Sequence, residues 1–306
     1  MRIILLGPTA VGKTDLSVNL ALTLDAEIIS ADSRQCYKHL DIGTAKPGPE
    51  ILNRVPHYNI SILDPETEDS AADFYERAMA WEREITENGN HVLYVGGSTL
   101  HLQSLIKPFD DLPESDDENL ETLEQRMADE GIESLYAQLE DVDPDYARKM
   151  DGMNTQRILR ALDVWMQTGR PFSSFHSNQD EYQIPSDTHL FGLRRDRKEL
   201  YERINDRVER MFEQGFVDEV TDLLEMGYSR ETRALNSVGY RDVIDYLEGT
   251  KTLERVKKEI KTQTRQYAKR QITWFRRWDF VEWIDMSAHT AEEAHKIIRD
   301  KLAAKQ

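Results

Sequence analysis

Eight residues near the start of the chain, GPTAVGKT, satisfy G-x-x-x-x-G-K-[ST] at every fixed position: Gly7, Pro8, Thr9, Ala10, Val11, Gly12, Lys13 and Thr14. The chemistry this spacing suits is the grip of a phosphate chain. Backbone N–H groups in such a turn form an anion nest at a helix N-terminus. Lys13 adds a point charge, and Thr14 offers a hydroxyl ligand for Mg2+. A chance glycine-rich turn is the competing reading, and the apolar run before the motif and the helical run after it disfavour it.

Eighteen residues beyond Thr14 comes Asp32, within ADSRQCYKHLDIGTAKP (31–47). An acid at the end of a strand beside such a loop could hold magnesium, orient a hydroxyl for phosphorylation, or take a proton from another nucleophile. It could also be only a turn residue. Arg34 and Gln35 follow, and glutamine pairs well with the N6/N7 edge of adenine. The apolar run HVLYV (91–95) ends in Gly96-Gly97, where many P-loop hydrolases place a magnesium-binding Asp. The chain also lacks an N-K-x-D guanine-reading run.

A third group lies in ELYERINDRVERMF (199–212). Leu200, Ile204, Val208 and Met211 make an apolar stripe at helical spacing. Arg207 falls about 40–60° from the middle of that stripe, at about 100° of turn per residue. Its planar fork suits a diphosphate. Arg203 and Arg210 lie further round, on a face expected to be solvated and paired with Glu202, Asp206 and Glu209.

The elements that must position these groups follow from periodicity. Strands are expected at Arg2–Leu6, 27–30, 91–95, 189–193 and 281–284, with helices at Lys13–Leu24, from Ala71 to about Glu87 and, after Gly96-Gly97, through Leu105. Strand alternating with helix means a parallel sheet covered on both faces. After Pro113 the pattern turns helical, from SDDE (115–118), a capping signature, to Gly169-Arg170-Pro171, a stop signal. The expected organisation is an α/β, P-loop NTPase-like core from 1–112 and 189–306, with a mainly helical insertion domain at 113–188.

With 306 residues, 39% of them hydrophobic, the chain can bury a full core. No apolar run approaches the ~20 residues of a membrane span, and the short MRIILLG run is too brief for a signal peptide. The single cysteine, Cys36, excludes an internal disulfide and a cysteine-based zinc site. These features suggest a cytoplasmic protein. The net charge of −18 argues against a nucleic-acid partner only until its distribution is read. Residues 110–145 carry fifteen acids against one Arg, whereas 251–278 carry ten Lys or Arg against two Glu. A polyanion responds to charge within about 8–10 Å rather than to the total. The basic stretch ends in YAKRQITWFRRW, which interleaves Tyr267, Trp274, Phe275 and Trp278 with Lys269, Arg270, Arg276 and Arg277. That suits a nucleic-acid strand, although at least two of the four aromatics are expected in the core.

Together these runs resemble the tRNA dimethylallyltransferase family of bacterial type. The likeness rests on GPTAVGKT, ADSRQCYKHLDIGTAKP, SAADF (70–74), VGGSTLHL, QRILRALDV (156–164), VGYR (238–241) and AKRQITWFRRW, in the family's order. It implies transfer of a dimethylallyl group from dimethylallyl diphosphate to N6 of the adenosine next to the anticodon (position 37) of tRNA. By the same resemblance the loop, with Mg2+, binds the diphosphate, Asp32 is the general base and Arg207 a diphosphate ligand. Contacts to tRNA would fall on Asp32, Ser33, Arg34 and Gln35, on Thr99, on Gln156, Arg157, Ile158, Leu159 and Arg160, and on Gly239, Tyr240 and Arg241. Lys269 and Arg270 lie in the basic helix, and the insertion domain would clasp the anticodon stem-loop. A monomer without membrane attachment is implied. Val11, Cys36, His39 and Ser98 depart from the family's usual residues. A P-loop small-molecule kinase, with ATP on the loop, would explain the loop, the acid and the arginine, but not the DSRQ run or the basic helix. A GTPase-like RNA-binding module is weakened by the missing base-reading run.

Overall fold

The computed structural model describes residues 1–107, 110, 112–176 and 182–305. In chain order the elements are β1 (Arg2–Leu6), α1 (Lys13–Leu24), β2 (Ala26–Ala31), α2 (Pro49–Leu52), β3 (His57–Tyr58), α3 (Ala71–Glu87), β4 (His91–Gly96) and α4 (Thr99–Ser104). Then follow α5 (Asp117–Glu130), α6 (Ile132–Val142), α7 (Pro144–Lys149) and α8 (Thr155–Thr168), with a short 3-10 turn at Phe172–Phe175. The rest is β5 (Thr188–Arg194), α9 (Arg197–Glu213), α10 (Phe216–Glu225), α11 (Tyr240–Leu247), α12 (Leu253–Phe275), β6 (Glu282–Asp285) and α13 (Ala291–Ala303).

The six strands form one parallel sheet in the order β3-β2-β4-β1-β5-β6. All five residues of β1 are buried, as a central strand covered on both faces requires. Strand alternation sorts the sheet's side chains between two cores. Ile3, Leu5, Ile28 and Leu193 face α1, α9 and α13, whereas Ile4, Leu6, Ile29 and Tyr94 face α3, α4 and the end of α12. A third cluster packs α9 to α12 around Tyr37 and Leu40 of the run after β2. The register matters for function. Gly96 of β4 stands opposite Leu6 on one side and Ala31 on the other, so three strand ends finish level.

The chain divides into two compact units, Met1–Ile106 with Ile184–Gln306, and Lys107–Gln183. The helical unit thus begins and ends earlier than the 113–188 drawn from sequence. Leu112 packs on the helical core, and Ile184 packs on a core of the sheet. Local signals fared well where a cap or a long apolar face exists. Ser70 caps α3 with Asp73 in a reciprocal pair, fixing the start of that helix at Ala71. The cap of α5 is Asp116 rather than Ser115, since its carboxylate accepts from the Asn119 N–H. Two-residue β3 carries no periodicity and escaped the sequence reading.

Candidate active site

The turn from β1 to α1 bends through three left-handed residues, Gly7 (φ 154°), Ala10 (φ 63°) and Gly12 (φ 111°). A Cβ at Gly7 would meet the Leu193 carbonyl at 2.8 Å, so that position has no room for a side chain. Side chains hold the turn from several directions. Lys13 Nζ donates to the carbonyls of Gly7 (2.8 Å) and Pro8 (2.9 Å). Arg203 Nε donates to Ala10 O at 2.9 Å, Arg195 donates to Val11 O at 3.4 Å, and Arg207 Nη1 donates to Thr9 Oγ1 at 3.1 Å. Thr9, Ala10, Val11, Gly12, Lys13 and Thr14, at the N-terminus of α1, line a cavity of about 520 Å3.

Asp32 follows β2 and lines the same cavity. Its Oδ1 accepts from the N–H groups of Arg34 (2.9 Å) and Gln35 (3.3 Å). The turn role and a chemical role therefore coexist, because the second carboxylate oxygen is not needed by the turn. Between loop and acid lies β4. Its last residue, Gly96, would bring a Cβ within 2.0 Å of Ala31 O, and Gly97 would bring one within 2.4 Å of Gln271 Nε2. Two glycines thus leave the end of the middle strand bare, with an anion nest to one side and a carboxylate to the other. Ligands of open parallel sheets bind at such carboxyl ends.

The cavity's electrostatics follow from crowding of cations. Burial, opposed by Asp32 and helped by Arg207, brings the Lys13 ammonium down to about 7. Burial also lowers Arg207, helped by its neighbours Arg203 and Arg210, while Asp32 again opposes. Such a site favours an incoming anion. Tyr267 of α12, 38% exposed, lines the cavity too.

Several expectations change on this geometry. Arg203 is not on a purely solvated, acid-paired face, because its fork reaches the loop. Glu209, one of its supposed partners, instead pairs with Lys257 and Lys261 of α12. Gln35 does not present a free amide: Nε2 donates to the carbonyls of Thr44 and Ala45, and Oε1 accepts from Ser30. It shapes the 44–45 turn of the cavity wall. Tyr240 is buried against Phe216, with its hydroxyl donating to Glu219 at 2.7 Å. Glu219 also accepts from the N–H groups of Asp41, Ile42 and Gly43, so one carboxylate fixes the DIGT turn. Gly239 turns at φ 97° beside Phe216, and Arg241 is exposed with Asn236. Ser33 and Arg34 line the cavity. Thr99 begins α4, half-buried, just past the bare strand end.

In the helical unit Ile158 and Leu159 are core, Arg160 pairs with the fully buried Asp163, and Gln156 and Arg157 alone of that run are exposed. Helical periodicity makes this unavoidable for five consecutive residues. On α12 and just after it, Lys269, Arg270, Arg276 and Arg277 are all exposed, and among the described residues none pairs with a carboxylate. Lys251 and Arg255, earlier on the stretch, are neutralised by Glu259. Phe275 and Trp278 are core, the expected two of four. Sequence reasoning missed Arg195, Glu219 and Gln271, each of which acts through backbone groups of distant segments.

A loop ringed by cations and a carboxylate thus stand on either side of one bare strand end of an α/β sheet. The model of the IPP transferase family matches residues 35–278, and the chain belongs to that family. A tRNA dimethylallyltransferase of Geobacter sulfurreducens is 40% identical over 94% of this chain and 92% of its own length. The full-length tRNA isopentenylpyrophosphate transferase of Bacillus halodurans shares 37% identity with a TM-score of 0.72, covering 99% of this chain and 97% of that one. A eukaryotic dimethylallyltransferase acting on tRNA superimposes with a TM-score of 0.84 at 26% identity, covering all of this chain and 80% of its own. Among the described residues, no helix is long and apolar enough to cross a membrane.

Proposed function

We propose that this protein transfers the dimethylallyl group of dimethylallyl diphosphate to N6 of the adenosine next to the anticodon (position 37) of tRNA, releasing diphosphate. The observation that carries the reading is the gap over Gly96-Gly97. Neighbouring strands lie about 4.8 Å apart, so the ends of β1 and β2, on either side of β4, are roughly 10 Å apart. That span accommodates a diphosphate on the loop, a five-carbon chain over the glycines and a purine amine at Asp32.

The exocyclic amine of adenine is a poor nucleophile because its lone pair is drawn into the ring. Asp32 orients the amine and takes its proton as the bond to the allylic carbon forms. The bond that breaks is carbon to diphosphate oxygen, and its electrons leave on the diphosphate. Lys13, Arg207 and the loop N–H groups stabilise that charge. The Thr14 hydroxyl would hold Mg2+ together with diphosphate oxygens. One hard oxygen donor beside a phosphate site suits an ion that leans on phosphates and its own waters. When bound, the ion supplies further neutralisation of the leaving group. The target base must leave its stack to reach Asp32, at a cost of a few kcal/mol. Lys269, Arg270 and their neighbours hold the RNA backbone, and Gln156 and Arg157 carry contacts from the helical unit to the anticodon stem-loop.

Mass analysis of an anticodon stem-loop incubated with dimethylallyl diphosphate and Mg2+ tests the reading. The expected product is one five-carbon unit on adenosine, with ATP unable to replace the donor. No gain across a broad set of tRNA stem-loops, or ATP consumed in place of the donor, refutes it.

A further inference from the structure

Gln271 lies on the cavity face of α12, at helical spacing from Ile260, Thr264 and Tyr267, all of which line the cavity. Its side chain is 3% exposed, and both ends of its carboxamide are engaged. Oε1 accepts from the Thr9 N–H at 2.9 Å, and Nε2 donates to Gly97 O at 2.7 Å. One amide therefore ties the loop after β1 to the bare end of β4. No other side chain can sit there from the strand itself, since a Cβ on Gly97 would lie 2.4 Å from Nε2 and 3.1 Å from Gly7 O. The tie also removes Thr9 N–H from the set of donors that could face an anion.

We infer that Gln271 is a positioning residue: it fixes the loop, and with it the leaving diphosphate, at the distance from Asp32 that an in-line transfer needs. This rests on the proposed dimethylallyl transfer. Asp32 is set by β2, whose end is in register with Gly96, so tying the loop to Gly97 sets loop and acid in one frame. Affinity for the diphosphate comes from other groups, namely Lys13, Arg207 and the remaining loop N–H groups. Loss of the tie therefore acts on alignment, and misplacement by about 1 Å can cost on the order of 10²-fold in rate. The two hydrogen bonds run in opposite senses, and the Gln271 amide supplies the acceptor and the donor together, as a protonated carboxyl of the same length would.

The test uses the full chain with a tRNA stem-loop, dimethylallyl diphosphate and Mg2+. In Gln271→Met, similar in shape but without either bond, kcat should fall by roughly 10–100-fold while KM for dimethylallyl diphosphate moves less than about threefold. In Gln271→Glu the ionised side chain keeps the acceptor and loses the donor. Protonation restores the donor, so its kcat divided by that of the native protein should rise as pH falls from 8 to 6. Burial and the neighbouring carbonyl raise such a carboxyl into that range. A native kcat in the Met variant, or a ratio for the Glu variant that is flat with pH, overturns the inference. If the Met variant fails to fold, the Glu ratio alone decides. Absence of transfer by the native protein would instead overturn the proposed function, and the two failures are distinct.

Discussion

On the proposed reading, raising the pH above neutrality should loosen the loop's hold on diphosphate, and Lys13 sets the slope. In the ligand-free protein its ammonium titrates near about 7, held down first by burial and then by Arg207. A diphosphate charge about 4 Å away contributes on the order of 4 kcal/mol at an effective dielectric of 20, which would return Lys13 to near its ordinary value by about three units. Between these limits, binding takes up a proton. From pH 7.5 to 9.5 the dissociation constant for dimethylallyl diphosphate, measured without RNA so that no turnover occurs, should rise by about 60-fold, roughly eightfold per unit. The ligand's own last proton leaves near pH 6 and does not contribute there. Isothermal titration in two buffers of different ionisation enthalpy should give an uptake of about 0.9 proton at pH 8. Lys13→Arg, charged throughout, should bind with little pH dependence. Arg207→Gln should move the break to higher pH, because it removes a cation that opposes the Lys13 charge, and Asp32→Asn should move it lower. The same depressed value makes the ligand-free fold gain stability as pH rises from 7 towards 10.5, since the unfolded chain holds the proton longer. Equal slopes for the native protein and Lys13→Arg would refute the reasoning.

Asp32→Asn keeps the oxygen that accepts from Arg34 and Gln35, so the turn survives while proton removal does not. Turnover should fall by roughly 10²–10⁴ with tRNA affinity nearly unchanged, and a near-normal rate would leave Asp32 as a turn residue. Arg207→Ala should lower kcat by about 10²–10³, with Lys at that position recovering part of the loss. Arg203→Ala should also reduce activity, because its fork holds Ala10 O, whereas the exposed Arg210→Ala should not; kinetics with the donor varied at saturating tRNA separates the three. His101 is buried and stacked on Phe74 at 4.2 Å, and burial, then Arg77 and Arg34, brings it down to about 3. Its folded value lies below the unfolded one, so stability present above pH 6.5 is lost as pH falls towards 3. His101→Phe should recover about 2 kcal/mol at pH 5 relative to the same comparison at pH 7, and parallel urea curves at both pH values would contradict this.

Local information pointed to the loop before α1, to Asp32 and to Arg207, which line one cavity, and the reason is physical. Glycine spacing, a strand before and a helix after are properties of about twenty consecutive residues, and a 3.6-residue period fixes which arginine turns inward. The same locality explains the exact start of α3, where cap and partner are three residues apart. Sequence could not show Arg203 on the loop, Gln35 turned to the Thr44 and Ala45 carbonyls, or Ile158 and Leu159 withdrawn into a core, since each depends on what a neighbouring segment offers. Gln271 is the sharpest case. It sits 262 residues from Thr9 in the chain, and its partners are one backbone N–H and one carbonyl, groups that every segment carries and no motif marks. Which backbone groups meet is decided by packing α12 across the ends of β1 and β4, and that packing exists only in the folded sheet.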